Sequence, residues 1–154
     1  MMMTDFPEFG GDRYYLTFVE KEAMQQDVVA DANFMAEGLS ATGHVAIYGI
    51  FFDTGKSEIK PESEPTFAEM AKLLKTNARL NVFIVGHTDN SGTFEHNMKL
   101  SQERAAAVVS MLAGKHGIAT ARHRPMGVAS LAPVSSNKTE EGKAKNRRVE
   151  LLER

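Results

Sequence analysis

From His44 to the end of the chain, the apolar residues alternate between the spacing of strands and the spacing of helices. Apolar residues at helical spacing predict one helix after Pro61 and another from about Ser101, which we take as its N-cap. A chain that alternates in this way is expected to form an α/β fold, here an α+β sandwich with helices covering a sheet. The segments with strand composition are HVAIYGIFF (44–52), LNVFIVGH (80–87), a weaker RHRPMGVA (122–129) and RRVELLE (147–153), whereas 135–146 reads as a polar loop.

Residues 1–43 precede this alternation and have their own pattern. YYLTFVE (14–20) predicts a strand, and the apolar spacing from Asp27 to Leu39 predicts a helix with Asp27 as its N-cap. We therefore divide the chain into a strand–helix extension at 1–43 and a domain at 44–154. The extension either packs on an apolar edge of the domain or is the tail of an upstream domain.

Composition excludes several classes of function. The net charge of −2 argues against a general nucleic-acid binder, which is usually strongly basic. The absence of cysteine excludes disulfides and thiolate metal sites. No run approaches the roughly 20 apolar residues of a membrane span, and the acidic N-terminus does not resemble a secretion signal. We expect no membrane span in this chain, with any signal or anchor absent from it.

GIFFDTGKS (49–57) contains parts of two well-known active-site motifs, the Asp-Thr-Gly of an aspartic protease and the Gly-Lys-Ser that ends a P-loop. Neither interpretation holds. A P-loop has four residues between its first glycine and Gly-Lys-Ser, whereas Gly49 and Gly55 enclose five. An aspartic protease needs two carboxylates that share a proton, and the chain has a single Asp-Thr-Gly. We therefore expect Asp53, Lys56 and Ser57 to perform no catalysis.

A metal site is the remaining chemical alternative in this region. His87, Asp89 and His96 lie close in sequence, but His87 and Asp89 point the same way only if the strand continues through Thr88. A histidine at the end of a strand, beside a turn, is the simpler interpretation. We expect neither a metal nor a cofactor.

GHTDNSGTFEHNMKLSQERAAAVV (86–109) places Asp89 in a turn after a buried strand and Arg104 near the predicted start of the next helix. A cation is unfavourable at a helix N-terminus, because that end carries a partial positive charge. Arg104 therefore needs a compensating anion. That anion is either Asp89, in an internal salt bridge, or the carboxylate of a ligand, and the spacing leaves both open.

Four separated motifs, FFDTGKSEIKPES, VGHTDNSG, N-x-x-LSQERA and AKNRRVEL, together resemble the OmpA-like C-terminal domain over about residues 44–154. The resemblance implies a βαβαβ-β module with a mixed sheet covered by helices. It also implies noncovalent binding of the peptidoglycan peptide stem at its meso-diaminopimelate residue, without catalysis. One departure is that RHRPMGVASLAP lacks the more usual second glycine of its turn.

The resemblance assigns roles to individual residues. Asp89 would take the ammonium of diaminopimelate, and the planar fork of Arg104 would bind its carboxylate through two hydrogen bonds. Asp53 would orient the neighbouring loop or bind ligand. Which arginine of the NRR motif faces the ligand stays open, although Arg148 is the one we place at the rim. The other residues implied to form the pocket are Thr88, Asn97 and Asn90.

The function implied is to anchor a parent envelope protein to the cell wall, in the periplasm and in association with the outer membrane. The partner is the peptide stem, nucleic acid is not expected, and a homodimer is left open. Two alternatives remain at this stage. One is a wall-active hydrolase or phosphate-handling enzyme that uses Asp53 or the His87 group, and the other is a dimerising, stator-like structural domain.

Overall fold

The computed structural model of the chain describes residues 30–154. Short 3-10 turns occur at Pro61–Ser63 and Thr120–Arg122. The helices are α1 (Ala32–Thr42), α2 (Glu64–Thr76), α3 (Phe94–Gly114) and α4 (Glu140–Asn146), and the strands are β1 (His44–Ile47), β2 (Val82–Gly86), β3 (His123–Gly127) and β4 (Val149–Glu153).

The four strands form one mixed sheet in the order β1-β4-β2-β3. β2 and β3 are parallel, and β4 runs antiparallel to both of its neighbours, β1 and β2. Among the described strands, β4 is thus inserted between β1 and β2. Its alternate residues Val149 and Leu151 are buried, which suits this internal position. The predicted α+β fold with a mixed sheet is confirmed.

The hydrophobic core lies between the sheet and the apolar sides of α1, α2 and α3. Phe67 and Met70 of α2 have no exposed surface, and neither does Leu112 of α3. Complete burial of each of these side chains contributes about 1.5–3 kcal/mol to the stability of the fold. Met35 and Leu39 of α1 belong to the same core, so the described end of the extension packs against the domain.

α1 begins later than the sequence predicted. Its N-cap is Asp31 rather than Asp27, because the Asp31 carboxylate accepts the Phe34 backbone N–H at 2.8 Å. Gly43 ends the helix in the left-handed conformation, with a φ of 84°. The strand predicted at 14–20 lies outside the described residues. The division of the chain at residue 43 stays a prediction.

α3 begins earlier than predicted, and this changes the interpretation of Arg104. Thr93, not Ser101, is the N-cap, since its hydroxyl accepts the His96 backbone N–H at 3.1 Å. Ser101 is buried inside the helix, and its hydroxyl accepts the Ala129 N–H at 3.1 Å. Arg104 therefore lies near the middle of a helix of 21 residues. The effect of the dipole at the helix N-terminus falls off within the first turn. The dipole therefore gives no reason for Arg104 to need a compensating anion.

Two further predictions about elements were wrong. The segment 135–146 is not entirely loop, because it contains α4, which is capped by the Thr139 hydroxyl. Acidic residues in the first turn of α4 and lysines in its last turn interact favourably with the helix dipole and stabilise the helix. The sequence does contain this signal. The strand predicted at 44–52 ends at Ile47, after which Phe52 forms only an isolated bridge with Ile59.

Candidate ligand-binding site

The candidate site lies where β2 ends, beside α3 and the segment that leads into β4. The residues after β2 are held by backbone hydrogen bonds from His87 to Arg148 (2.9 Å) and from Thr88 to Ala129 (2.9 Å). Thr88 and Asp89 are buried as a result. This short segment is therefore fixed to two neighbouring parts of the chain, which positions Asp89 firmly.

Asp89 is a buried carboxylate with a donor on each oxygen. Its Oδ1 accepts the Ser91 backbone N–H at 2.8 Å, and its Oδ2 accepts Arg147 Nη1 at 2.6 Å. Burial by itself raises the pKa of Asp89, but the hydrogen bonds from Ser91 and Arg147 outweigh it and hold the pKa below its ordinary value. Asp89 is accordingly an anion at neutral pH.

Arg147, rather than Arg104, is the arginine that pairs with Asp89. Its other terminal nitrogen, Nη2, donates to Glu140 Oε2 of α4 at 3.1 Å. The Arg147 side chain is 40% exposed, so it reaches Asp89 from the surface. Arg147 was not among the site residues predicted from the sequence. The sequence indicated this residue only in that it left open which of the two arginines in the NRR motif faces the ligand.

Arg104 reaches across from α3 to the loop after β1. Its Nε donates to the Lys56 carbonyl at 2.8 Å and its Nη2 to the Asp53 carbonyl at 3.2 Å. The guanidinium carbon also lies 4.8 Å from the centre of the Phe52 ring. Burial and repulsion from Arg147 lower the pKa of Arg104, while Asp89 raises it. Arg104 and Arg147 are thus close enough to repel one another, which favours an anion near both.

Arg148 points inward and is committed to partners within the domain. Its side chain is 2% exposed, and its Nε donates to Glu150 Oε2 at 2.6 Å. The same guanidinium donates to the Ala132 carbonyl at 2.9 Å, which ties down the loop after β3. Arg148 was the sequence candidate for the rim, but the structure places Arg147 at the surface and Arg148 beneath it.

The remaining candidate residues mainly shape the turn after β2. The Thr88 hydroxyl donates to the Asp89 carbonyl at 2.7 Å, and Asn97 Nδ2 donates to the Ser91 carbonyl at 2.8 Å. Asn90 is exposed beside them. The Asp53 side chain is also exposed and faces Lys60 at 3.4 Å, so only its backbone carbonyl contacts Arg104.

A small cavity of about 20 Å³ lies between these groups, which is room for roughly one water molecule. Both ring nitrogens of His87 are buried and have no hydrogen-bond partner among residues 30–154. Asp89 is not part of the lining, although its ion-pair partner Arg147 is. The lining residues are Ile50, Phe52, Gly86, His87, Arg104, Arg147, Arg148 and Val149.

Comparison with known proteins places this arrangement in a family. A family model described as the OmpA family matches residues 51–147. The chain belongs to the OmpA family. The resemblance carried by the sequence motifs is confirmed.

This OmpA-family chain has curated relatives among envelope proteins. Outer membrane protein A of Bordetella avium is 44% identical over 101 residues, which cover 66% of this chain and 52% of that protein. The probable lipoprotein YiaD of Escherichia coli strain K12 is 39% identical over 102 residues, covering 66% of this chain and 46% of that protein. The chain therefore spans about half the length of these relatives.

Solved structures of the family share the fold. A putative MotB like protein from Desulfovibrio vulgaris has a TM-score of 0.65 at 25% identity, covering 86% of this chain and 91% of that one. The peptidoglycan-associated lipoprotein from Burkholderia pseudomallei has a TM-score of 0.62 at 28% identity, covering 68% and 88%. The cell wall anchor of the T6SS from Pseudomonas aeruginosa also has a TM-score of 0.62 at 28% identity, covering 80% of this chain and 96% of that one.

The part of this OmpA-family chain that the structure describes contains neither a group of metal-binding side chains nor a membrane-spanning helix. In the part of the chain that the structure describes, no three His, Asp or Glu side chains are grouped to hold a metal ion. Across residues 30–154, no helix has the length and apolar character needed to cross a membrane.

Acid should destabilise the domain through His87. Burial, followed by repulsion from Arg148, lowers the pKa of His87 to about 4. In the unfolded chain its pKa returns to about 6.5, so between these values the unfolded state binds a proton that the folded state does not. We expect full stability above pH ~6.5 and a loss of about 2–3 kcal/mol as the pH falls toward ~4.

Urea unfolding measured at several pH values checks this expectation. His87→Asn, which cannot titrate, should make the free energy of unfolding depend less on pH. The control is His96→Gln on the exposed start of α3, which should show the same pH dependence as the wild type. An unchanged slope in His87→Asn would show that other groups govern the acid response.

Proposed function

We propose that this OmpA-family chain binds the peptide stem of peptidoglycan noncovalently, at its meso-diaminopimelate residue. In doing so it anchors a parent envelope protein to the cell wall, in the periplasm and in association with the outer membrane. The domain has no catalytic role in this proposal. The names of its relatives support the setting, since they include an outer membrane protein, a peptidoglycan-associated lipoprotein and a cell wall anchor.

The observation that carries the proposal is the charge arrangement around the cavity. The side chain of diaminopimelate ends in an ammonium and a carboxylate on one carbon, so its site needs an anion and a cation close together. Asp89 is a buried anion paired with Arg147, and Arg104 is a half-buried guanidinium that lines the cavity together with Arg147. A buried carboxylate binds an ammonium through charge-assisted hydrogen bonds, and an arginine fork binds a carboxylate in the same way.

The contacts of Arg104 are consistent with a role toward ligand. Its hydrogen bonds to the Lys56 and Asp53 carbonyls use only part of its donor set, and the Phe52 ring supports it from one side. These contacts fix the orientation of the guanidinium before any ligand arrives. Such preorganisation reduces the entropy that ligand binding would otherwise lose.

The direct test is co-sedimentation of the chain with purified, insoluble peptidoglycan. We expect the chain to sediment with sacculi that contain diaminopimelate, and a soluble diaminopimelate-containing stem peptide to release it. The supernatant is analysed for released muropeptides, since release would support a wall hydrolase instead. A chain that stays in the supernatant at all salt concentrations would contradict the proposed function.

A further inference from the structure

Arg147 holds one of the acceptor positions on Asp89 that a ligand ammonium would use. The carboxylate already accepts the Ser91 N–H on one oxygen and Arg147 on the other, and the Arg147 contact is the short one at 2.6 Å. The Ser91 contact is made by the backbone of the same turn, so it belongs to the fixed structure. The Arg147 contact comes from an exposed side chain 58 residues away in sequence, so it is the one that a ligand can replace.

The position of Arg147 leads to the same conclusion. Arg147 lines the cavity beside Arg104, whereas Asp89 does not. A ligand group that enters the cavity to reach Arg104 therefore also contacts Arg147. The cavity of about 20 Å³ is also too small for anything larger than a water molecule, so ligand entry requires a side chain to move.

Arg147 can leave Asp89 without losing every partner. Its Nη2 is bonded to Glu140 of α4, a carboxylate that is 78% exposed and thus on the outer side of the arginine. Arg104 has no comparable freedom, because it is bonded to two backbone carbonyls and packed on Phe52. The movable element of the site is therefore Arg147.

We propose that Arg147 makes the site select ligands that carry a carboxylate beside their ammonium. This inference rests on the proposed function. An ammonium that takes Asp89 removes the counter-ion of Arg147, and the carboxylate on the same carbon of the ligand supplies a new one. A lysine side chain brings the ammonium alone, so it leaves Arg147 without that replacement. Arg147 thereby disfavours lysine-containing stems relative to diaminopimelate-containing stems.

The experiment is a titration of two stem peptides that differ only in having diaminopimelate or lysine at the third position. In the wild-type chain we expect the diaminopimelate peptide to bind at least about tenfold more tightly. Arg147→Gln removes both the competitor for the ammonium and a cation near the carboxylate. The first effect changes the affinity of both peptides alike and cancels in their ratio, whereas the second affects only the peptide that carries the carboxylate. We therefore expect the ratio of the two affinities to fall about threefold or more.

Three controls make the outcome specific to Arg147. Arg147→Lys keeps a cation and should retain most of the selectivity, although it loses the planar fork. Arg124→Gln removes the same charge from an exposed position on β3 that does not line the cavity, and it should leave the ratio unchanged. An NMR titration should show the pKa of the Asp89 carboxyl rising in Arg147→Gln, since the hydrogen bond from Arg147 helps to lower it.

The outcomes separate this inference from the proposed function. If both peptides bind and the ratio is the same in Arg147→Gln as in the wild type, Arg147 does not determine selectivity and the inference fails alone. If the wild-type chain binds neither peptide, the proposed function fails together with it. A fall in the ratio, with the Arg124→Gln ratio unchanged, supports both.

Discussion

Asp89→Ala and Arg104→Ala should each reduce binding of the diaminopimelate stem peptide roughly thirtyfold or more, while the chain remains folded. Removing one partner of a desolvated charge pair generally costs about 2–5 kcal/mol of binding free energy, because the other partner is left buried and uncompensated. Titration calorimetry on the wild type and each variant measures the loss. Circular dichroism establishes that the fold has survived.

Conservative variants at the same positions separate charge from shape. Asp89→Asn retains the shape of the side chain but removes the anion, so we expect nearly the full loss. Arg104→Lys retains the cation but loses the planar fork that also bonds the Lys56 and Asp53 carbonyls, so we expect poor rescue. Glu103→Ala, an exposed neighbour of Arg104 that faces Lys99 at 3.9 Å, is the matched control. Folded variants that bind as tightly as the wild type would place the ligand elsewhere.

Gly86→Ala should destabilise the domain by about 1–3 kcal/mol, as overpacking generally does, and weaken binding at the same time. A Cβ at Gly86 would lie 2.3 Å from the Ser101 carbonyl oxygen, which is backbone and cannot rotate away. The methyl group would therefore push α3 from the end of β2. Arg104 is on α3 and Asp89 follows β2, so the distance between the two sides of the site would change.

Urea unfolding and peptide titration of Gly86→Ala test this coupling between packing and the site. Gly114→Ala is the control, because a Cβ there meets no atom within 4 Å and alanine is the better helix former. We expect Gly114→Ala to be as stable as the wild type or slightly more stable. Wild-type stability and affinity in Gly86→Ala would show that the contact between α3 and β2 tolerates a methyl group.

Much of the fold followed from local patterns. The period of the apolar residues located α2, α3 and the sheet strands, because burial on one side of a helix or strand requires that spacing. Boundaries were less well predicted, since the cap is the residue whose side chain reaches the free N–H groups. For α3 that residue was Thr93 rather than the equally suitable Ser101. The missed α4 is short, and its caps and charges stabilise it rather than an apolar side.

The sequence by itself determined which kinds of group are available at the end of β2. The order of the motifs placed Asp89 directly after a buried strand and Arg104 on the helix that follows. It also led to the family, which the comparison then confirmed. These features depend on residues that are close together in the sequence. Their relative positions follow from the side-chain periods of strands and helices.

Only the tertiary structure decided which charges meet. Asp89 and Arg147 are separated by 58 residues, and Arg104 is 48 residues away from Lys56, whose backbone carbonyl it binds. The sheet brings them together because β4 is inserted beside β2, which places the residues before β4 next to those after β2. Adjacent arginines entering a strand project to opposite sides, so one could reach Asp89 while the other turned inward to Glu150. No local pattern distinguishes Arg147 from Arg148, because that choice depends on what each side of the folded sheet contacts.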